Sequence, residues 1–515
     1  MLGILTSLLV APLIGLLVLL AIPSSSPRRI KIWANFASLV SALMTLPLLT
    51  NFDRNQDFQF VERLPWIPSI GASYYLAVDG ISLLLLVMTG FITFLAILSS
   101  WNAIDTRVKE YYACFLFLQF SMMGVFLSLD FLLFFVFWEM VLIPMYFIIA
   151  IWGAERRAYA SIKFLIYTVA GSVLMLVGGI ALHWQHFLAT GVRTFAIDEL
   201  MNTPLSLTME LWIFWALFAG FAVKVPMIPF HTWLPDAHTE APTAGSVVLA
   251  SILLKMGTYG FLRFSLPLAP NASRDPLTVK IVAALSIVAI LYGALVCLLQ
   301  KDWKKLIAYS SVSHMGFVTL GIFTFNQAGI TGSMLAQINH GISAGMLFLI
   351  IGVVYDRRHT REIAQYSGLW KPMPLFAIVV LIASLSSMGM PPLNGFIGET
   401  TILLGVYPVS WNWTVACMTG IVLGAAYLLW VFQRTIWGNT SEPNRNLPDL
   451  NLREKLIFLP LVISAFLIGL WPRPLFEILD RPSMKIVQRL QSAPAPLPVP
   501  SVVVATVPPV VLTYK

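Results

Sequence analysis

The chain has 515 residues, of which 58% are hydrophobic and only 11% charged, and its mean hydropathy is +0.82. A soluble domain carries roughly 25% charged residues, so the composition excludes a water-solvated globule and makes lipid the main solvent. The net charge of +8 does not point to nucleic acid, because the basic residues are sparse and lie in loops between apolar runs, the pattern that orients membrane proteins.

A spanning helix needs about 20 mainly apolar residues, and such runs recur along almost the whole chain. In order they cover 2–22, 32–50, 80–101, 112–129, 131–151, 161–183, 211–230, 243–266, 279–299, 305–325, 329–354, 375–405, 414–437 and 456–471. The expected fold class is an all-α polytopic membrane protein of about fourteen transmembrane helices, with no evident strands. The first run lacks a basic start, and its basic residues follow it in "SSSPRRIKIW". It therefore reads as a retained helix and not a cleaved signal. With the N-terminus outside, alternate loops place eighteen Lys and Arg residues inside against five outside. The expected location is a bacterial inner (plasma) membrane, or alternatively a thylakoid, with the basic loops cytoplasmic. Cys114, Cys297 and Cys417 lie far apart in apolar runs, match no ligand spacing, and read as small core residues.

Two long regions, 112–266 (helices 4–8) and 279–437 (helices 9–13), have matching lengths and about five helices each. Five crossings is an odd number, so the second region has inverted topology relative to the first. The helices of 1–111 precede them, a loop and helix 14 occupy 438–475, and a proline-rich tail is expected from 476 to 515. Its ending "SAPAPLPVPSVVVATVPPVVLTYK" argues for an extended or disordered segment. Each long region carries a proline-interrupted helix late in its course: "FAVKVPMIPF" with Pro226, and "SSMGMPPLNGFIGET" with Pro391 and Pro392. Paired broken helices in two inverted halves point to transport near the midplane.

Glu139, Lys224, Lys255, His314, His340 and Glu399 all lie inside these apolar runs. A charge at a helix centre costs about 2.5–3.5 kcal/mol on insertion scales, too much for several to be incidental. A single buried histidine is more often glue between helices, and a lysine near a helix end usually snorkels to the interface. Lys163 and Arg263 are expected to do that. The set of six, spread over both halves, reads instead as a proton relay. A Glu–Lys pair that forms and separates can load and unload a proton on the lysine. Pro226 removes a backbone donor beside Lys224, an interruption tolerated where it lines a wet cavity.

"HTWLPDAHTEAPTAGS" follows the first break. Its His231, Asp236, His238 and Glu240 match no metal spacing and read as a protonatable loop at a proton entrance. No dinucleotide, P-loop, haem or flavin motif is present, so no redox chemistry is expected in this chain itself, and no cofactor or metal.

The runs "FFVFWEM", "AVKVPMIPFHTWLPDAHTEAPTAGSVVLASILLKMGTYG", "KDWKKLIAYSSVSHMGF", "QINHGISAGMLFLIIGVVYDRRHTREI" and "MGMPPLNGFIGE" resemble the antiporter-like membrane subunits of complex I, proton-translocating NADH:quinone oxidoreductase, and its chain M or subunit 4 branch above all. The resemblance covers nearly the whole chain. It implies fourteen helices, two inverted five-helix repeats and one proton channel. It implies a Glu139–Lys224 pair in the first half, a central relay of Lys255, His314 and His340, and a terminal site at Glu399, where sister subunits and sodium/proton antiporter relatives usually have lysine. It also implies NADH, FMN, iron–sulfur clusters and quinone in partner subunits, sister antiporter-like subunits as neighbours, and lipid around them. The proline-rich tail is outside the family pattern. The competing readings are a sodium/proton antiporter subunit, a structural scaffold, and a ferredoxin- or hydrogenase-linked sister complex.

Overall fold

The computed structural model describes residues 3–493 and 495–497. The chain is mostly helical, and each apolar run of the sequence lies largely on helix. By length and apolarity eleven of the described helices can cross a membrane, or up to twelve if the bent pair Leu452–Leu470 and Arg473–Gln491 is one span. Local chemistry sets where helices begin. Asp79 accepts from the backbone N–H groups of Ile81 and Ser82, and Ser82 bonds back to the Asp79 N–H. This capping box opens the helix Gly80–Ser99. Asp275 caps Pro276–Leu298, with Pro276 in the first turn, where a missing N–H is harmless.

Two spans form the axis of the bundle. The most apolar stretch of Thr243–Leu268 is 100% buried and that of Gln327–Arg358 is 94% buried, whereas Arg157–Thr190 and Trp411–Thr435 each bury only 39%. Outer helices therefore turn an apolar face outward, as at Ile166, Val173 and Val177. That arrangement suits lipid or a partner helix, not water. The axial spans are stitched together at helical spacing: Ser251 Oγ donates to the Gly341 carbonyl at 2.7 Å and Thr258 Oγ1 to Gln337 Oε1 at 2.6 Å.

Three features depart from expectation. Gln59–Ile67 and Ala72–Val78 pair as an antiparallel two-stranded sheet, although no strand was expected. Its alternation is short and interrupted by Pro65, and Tyr74, Tyr75 and Val78 supply the β-favouring side chains. The tail assigned to 476–515 begins as helix, Arg473–Gln491, so the 475/476 boundary falls inside that element. Pro474 lies in its first turn, which needs no N–H. Ile478, Leu479, Ser483, Ile486 and Leu490 give the helix a buried face. The stretch 498–515, where extended or disordered chain was expected, lies outside the described residues. Finally, Arg263 does not snorkel. It is buried and hydrogen-bonded to Asp79, with Nε donating to Tyr259 Oη at 3.2 Å.

The helix Arg473–Gln491 leaves the last span at a 72° bend. It lies across Gly80–Ser99, Gln327–Arg358 and the short helices Leu266–Leu268 and Pro270–Arg274. A Cβ on Gly80 would meet the Ile478 carbonyl oxygen at 2.1 Å, so backbone approaches backbone there and only glycine fits.

Candidate functional site

Both expected breaks are present. The helix Leu207–Lys224 stops at Lys224, and the chain restarts through a turn of 3₁₀ helix, Phe230–Thr232. The Met227 N–H reaches the Ala222 carbonyl at 2.9 Å, which leaves Val223 without its helical donor. The Trp233 indole N–H takes up that carbonyl at 2.9 Å. In the second half, Pro374–Ser387 and Asn394–Val406 are separated by residues 388–393. Asn339 Nδ2 donates to the Asn394 carbonyl at 2.7 Å, and Ser386 Oγ donates to Asn394 Oδ1 at 2.6 Å. The first break is thus held by a side chain that takes up a carbonyl the helix left open, and the second by Asn339 and Ser386, which fix Asn394 at the start of the restarted helix.

Lys224 is fully buried, and its ammonium stands 5.1 Å from the Trp138 ring centroid and 5.9 Å from that of Phe164. It closes the C-terminal end of its half-helix, where the dipole favours a cation. Glu139 is its nearest acidic influence, and the Ser172 hydroxyl lies against that carboxyl. The two are not in ion-pair contact. Lys224 Nζ and Glu139 Oε1 have no hydrogen-bond partner among the described residues.

The other four expected relay residues form one file. Lys255 Nζ lies 2.6 Å from His340 Nδ1 and donates to the Ala250 carbonyl at 2.5 Å. That carbonyl belongs to a π-helical turn, Leu249–Leu253, and a second one, Phe261–Ser265, follows Lys255. Such turns loosen the i→i−4 ladder and recur at functional sites. The His340 and His314 rings are 5.5 Å apart between centroids. His314 Nδ1 lies 3.5 Å from Glu399 Oε1, and its Nε2 shares a 3.3 Å hydrogen bond with Ser387. His314, His340, Asn339, Ser387 and Glu399 line a cavity of about 20 Å³, room for about one water. Gly389, in the break, backs the Glu399 carboxylate so closely that a Cβ there would meet Oε2 at 2.2 Å.

The polar loop divides. His231 and Asp236 face one side, where Lys163 donates to Asp236 Oδ2 at 2.8 Å and His231 stands edge-on to Tyr292. Lys163 is thus paired with Asp236. His238 faces the interior: it is fully buried, stacked on Phe348 at 4.4 Å, and near both Lys255 and Lys304. Glu240 Oε2 accepts from the Arg156 N–H at 2.8 Å and borders an open cavity of about 460 Å³ with Asp302 and Arg361. Among the described residues no group of three or more His, Cys, Asp or Glu is arranged to hold a metal ion. Sequence reasoning missed Lys304, a buried lysine whose ammonium donates to the Ala241 carbonyl. It opens its helix and counted only as a basic loop residue. Between Lys224 and Lys255 no direct bond forms. The two segments meet instead where Gly257 packs on Phe221 and Val225.

Residues 128–424 match the family described as "NADH:quinone oxidoreductase/Mrp antiporter, TM", and residues 10–129 match "NADH-ubiquinone oxidoreductase chain 4, amino terminus". NADH-quinone oxidoreductase subunit M of Rhodobacter capsulatus is 46% identical over 474 residues, 90% of this chain and 91% of that protein. A chain of respiratory complex I from Thermus thermophilus superposes with a TM-score of 0.86 at 30% identity, covering 95% of this chain and 99% of that one. A chain of the Mrp complex from a Dietzia species shares the fold, with a TM-score of 0.78 at 19% identity over 94% of this chain and 99% of that one.

Proposed function

The chain belongs to the subunit M (chain 4) family of NADH:quinone oxidoreductase, and on that premise we propose that it is a proton-translocating membrane subunit of complex I. It is a membrane subunit of an oxidoreductase whose NADH, FMN, iron–sulfur and quinone chemistry is carried by other subunits. In this reading it has fourteen membrane helices. The count includes the more polar helix Trp303–Ile322 and takes Pro374–Ser387 with Asn394–Val406 as one broken span. Residues 112–266 and 279–437 are inverted repeats. The N-terminus lies outside a bacterial inner membrane, and sister antiporter-like subunits flank the chain in the membrane plane.

The observation that carries the relay is the unbroken file Lys255–His340–His314–Glu399 inside the bundle. Each member can take and release a proton. Glu139 and Lys224 gate its inner end, and Lys224 keeps or releases a proton according to how close Glu139 comes. His238, Glu240 and Lys304 form the entrance from the cytoplasmic face. Glu399 is the outlet.

The test uses the whole complex in sealed vesicles, with quinone reduction and proton pumping recorded together and assembly checked by native gel. Lys224→Ala should assemble but lose pumping and coupled turnover. Lys224→Arg should fail similarly, because guanidinium stays protonated. An assembled Lys224→Ala complex that pumps normally would make Lys224 structural and the gate wrong.

A further inference from the structure

Beneath the helix Arg473–Gln491 lies a cavity of about 300 Å³ that the proton relay does not use. Its interior is apolar, lined among others by Phe52, Phe58, Ile81, Ile197, Ile478 and Ile486. Its mouth is cationic, with Arg54, Arg481, Lys485 and Arg489. Five cations, Arg54, Arg263, Arg481, Lys485 and Arg489, line the cavity against three carboxylates, Asp57, Asp79 and Asp198. Arg54 pairs with Glu477, whereas Arg481 and Lys485 share the single carboxylate of Asp57. Among the described residues Arg489 donates to the backbone carbonyls of Pro267 and Met201, with Glu210 as its neighbouring carboxylate, so three of its five N–H donors are left for a ligand. Asp79, on the wall, is committed to Arg263, and Asp198 shares Arg63 with Glu199.

An excess of cations around an apolar hollow selects an amphiphile with an anionic head. The position selects its source. Gly80 and Ile81 begin one span, Leu262 and Pro267 end another, and the covering helix turns 72° away from a third. The cavity therefore lies level with the ends of the spans, the depth at which phosphate headgroups meet acyl chains. We propose that this cavity holds one anionic phospholipid. The phosphate rests on Arg489 and Lys485, and one acyl chain lies between Phe52, Phe58, Ile81 and Ile486. The ion pairs at the mouth are exposed, and such pairs contribute little, so a phosphate displaces them at small cost. Charge-assisted and bidentate contacts from arginine then hold it. The bound lipid ties the hairpin region to the C-terminal helix across the ends of two spans.

The experiment uses the whole complex, delipidated in mild detergent. A photoactivatable phosphatidylglycerol with a diazirine in its acyl chain is added at fixed concentration, and labelled peptides are mapped by mass spectrometry. Labelling is expected on peptides spanning 52–58 and 478–489. It should fall about tenfold in Arg489→Gln with Lys485→Gln, the loss of charge-assisted contacts to one phosphate, and excess inorganic phosphate should not prevent it. Ile486→Glu is the second variant, because it blocks the chain slot and leaves the cations in place, and native gels report assembly of both. Unlabelled peptides in the wild type would overturn the proposal, as would labelling that both variants leave unchanged. Loss of labelling to inorganic phosphate alone would show a simple anion site. Labelling that appears only after truncation at Leu497 would show that the segment 498–515 of this chain fills the cavity instead.

Discussion

Gly389→Ala probes the outlet through a single methyl group. Gly389 has φ +70°, and a Cβ there would meet Glu399 Oε2 at 2.2 Å. Ordinary contact begins at 3.4 Å, so the carboxylate must retreat by about 1.2 Å. Its Oε1 stands 3.5 Å from His314 Nδ1, at the edge of useful proton exchange, and a displacement of that size resets this distance. Misplacement by about 1 Å costs of order 10²-fold where reacting groups must meet. Holding alanine in the left-handed region adds about 1–2 kcal/mol of backbone strain. Gly191→Ala separates the two effects: its φ is +74° and nothing lies within 4 Å of the added Cβ. Both variants should assemble with similarly lowered thermal stability, read by native gel after a heat step. Only Gly389→Ala should lose coupled proton pumping in sealed vesicles. Normal pumping by Gly389→Ala, or equal loss in the two variants, would refute the idea that the carboxylate's place beside His314 matters.

Three further outcomes follow from the geometry. Asp79→Asn should destabilise the assembled subunit by about 3–5 kcal/mol, because it leaves the Arg263 guanidinium buried without its anion. Asp79→Asn with Arg263→Met should recover much of that loss, which thermal melts of the complex would show. Trp233→Phe removes the donor to the Val223 carbonyl and should cost about 1–3 kcal/mol, with hydrogen exchange quickening first around 223–233. The hydrogen bond from Arg481, aided by Lys485, holds the Asp57 carboxyl below the usual carboxylate range. A depressed folded-state pKa stabilises above the unfolded value of about 3.9 and is lost as pH falls through the folded value. Protection of 473–491 from proteolysis should therefore stay flat from about pH 8 to 5 and weaken slightly below about 4, and Asp57→Asn should shrink that acid step, the remainder falling to Glu477, whose carboxyl Arg473 and Arg54 also hold low.

The members of the proposed relay stand out in the sequence because charge in hydrocarbon is expensive, as Glu139, Lys224, Lys255 and Glu399 do in apolar runs. The breaks were legible because proline cannot continue a helix. Their grouping was not. Nothing local in "HTWLPDAHTE" says that Asp236 turns toward Lys163 while His238 turns toward Lys255; the short helix Trp233–Glu240 decides that. Arg263 looked like an interfacial residue because its partner, Asp79, is 184 positions away. The hairpin escaped because its strands are short beside the apolar runs around them. The helix Arg473–Gln491 escaped because the proline-rich ending that follows it set the reading of the whole tail, although Pro474 lies where a helix tolerates it. The π-helical turns leave no mark in composition at all.

Those turns carry a consequence for length variation. A π turn holds one residue more than an α turn, so deleting one residue within Leu249–Leu253 converts it to regular helix without shortening the span by a full turn. Because the π turn absorbs that extra residue, the rest of the span keeps its direction, and what the deletion changes is the local turn whose Ala250 carbonyl accepts from the Lys255 ammonium. This span is buried on every side, so the change presents no new surface to lipid. Single-residue gaps in this segment are thus changes that keep the span apolar toward lipid but alter the seat of Lys255 in the proposed proton path.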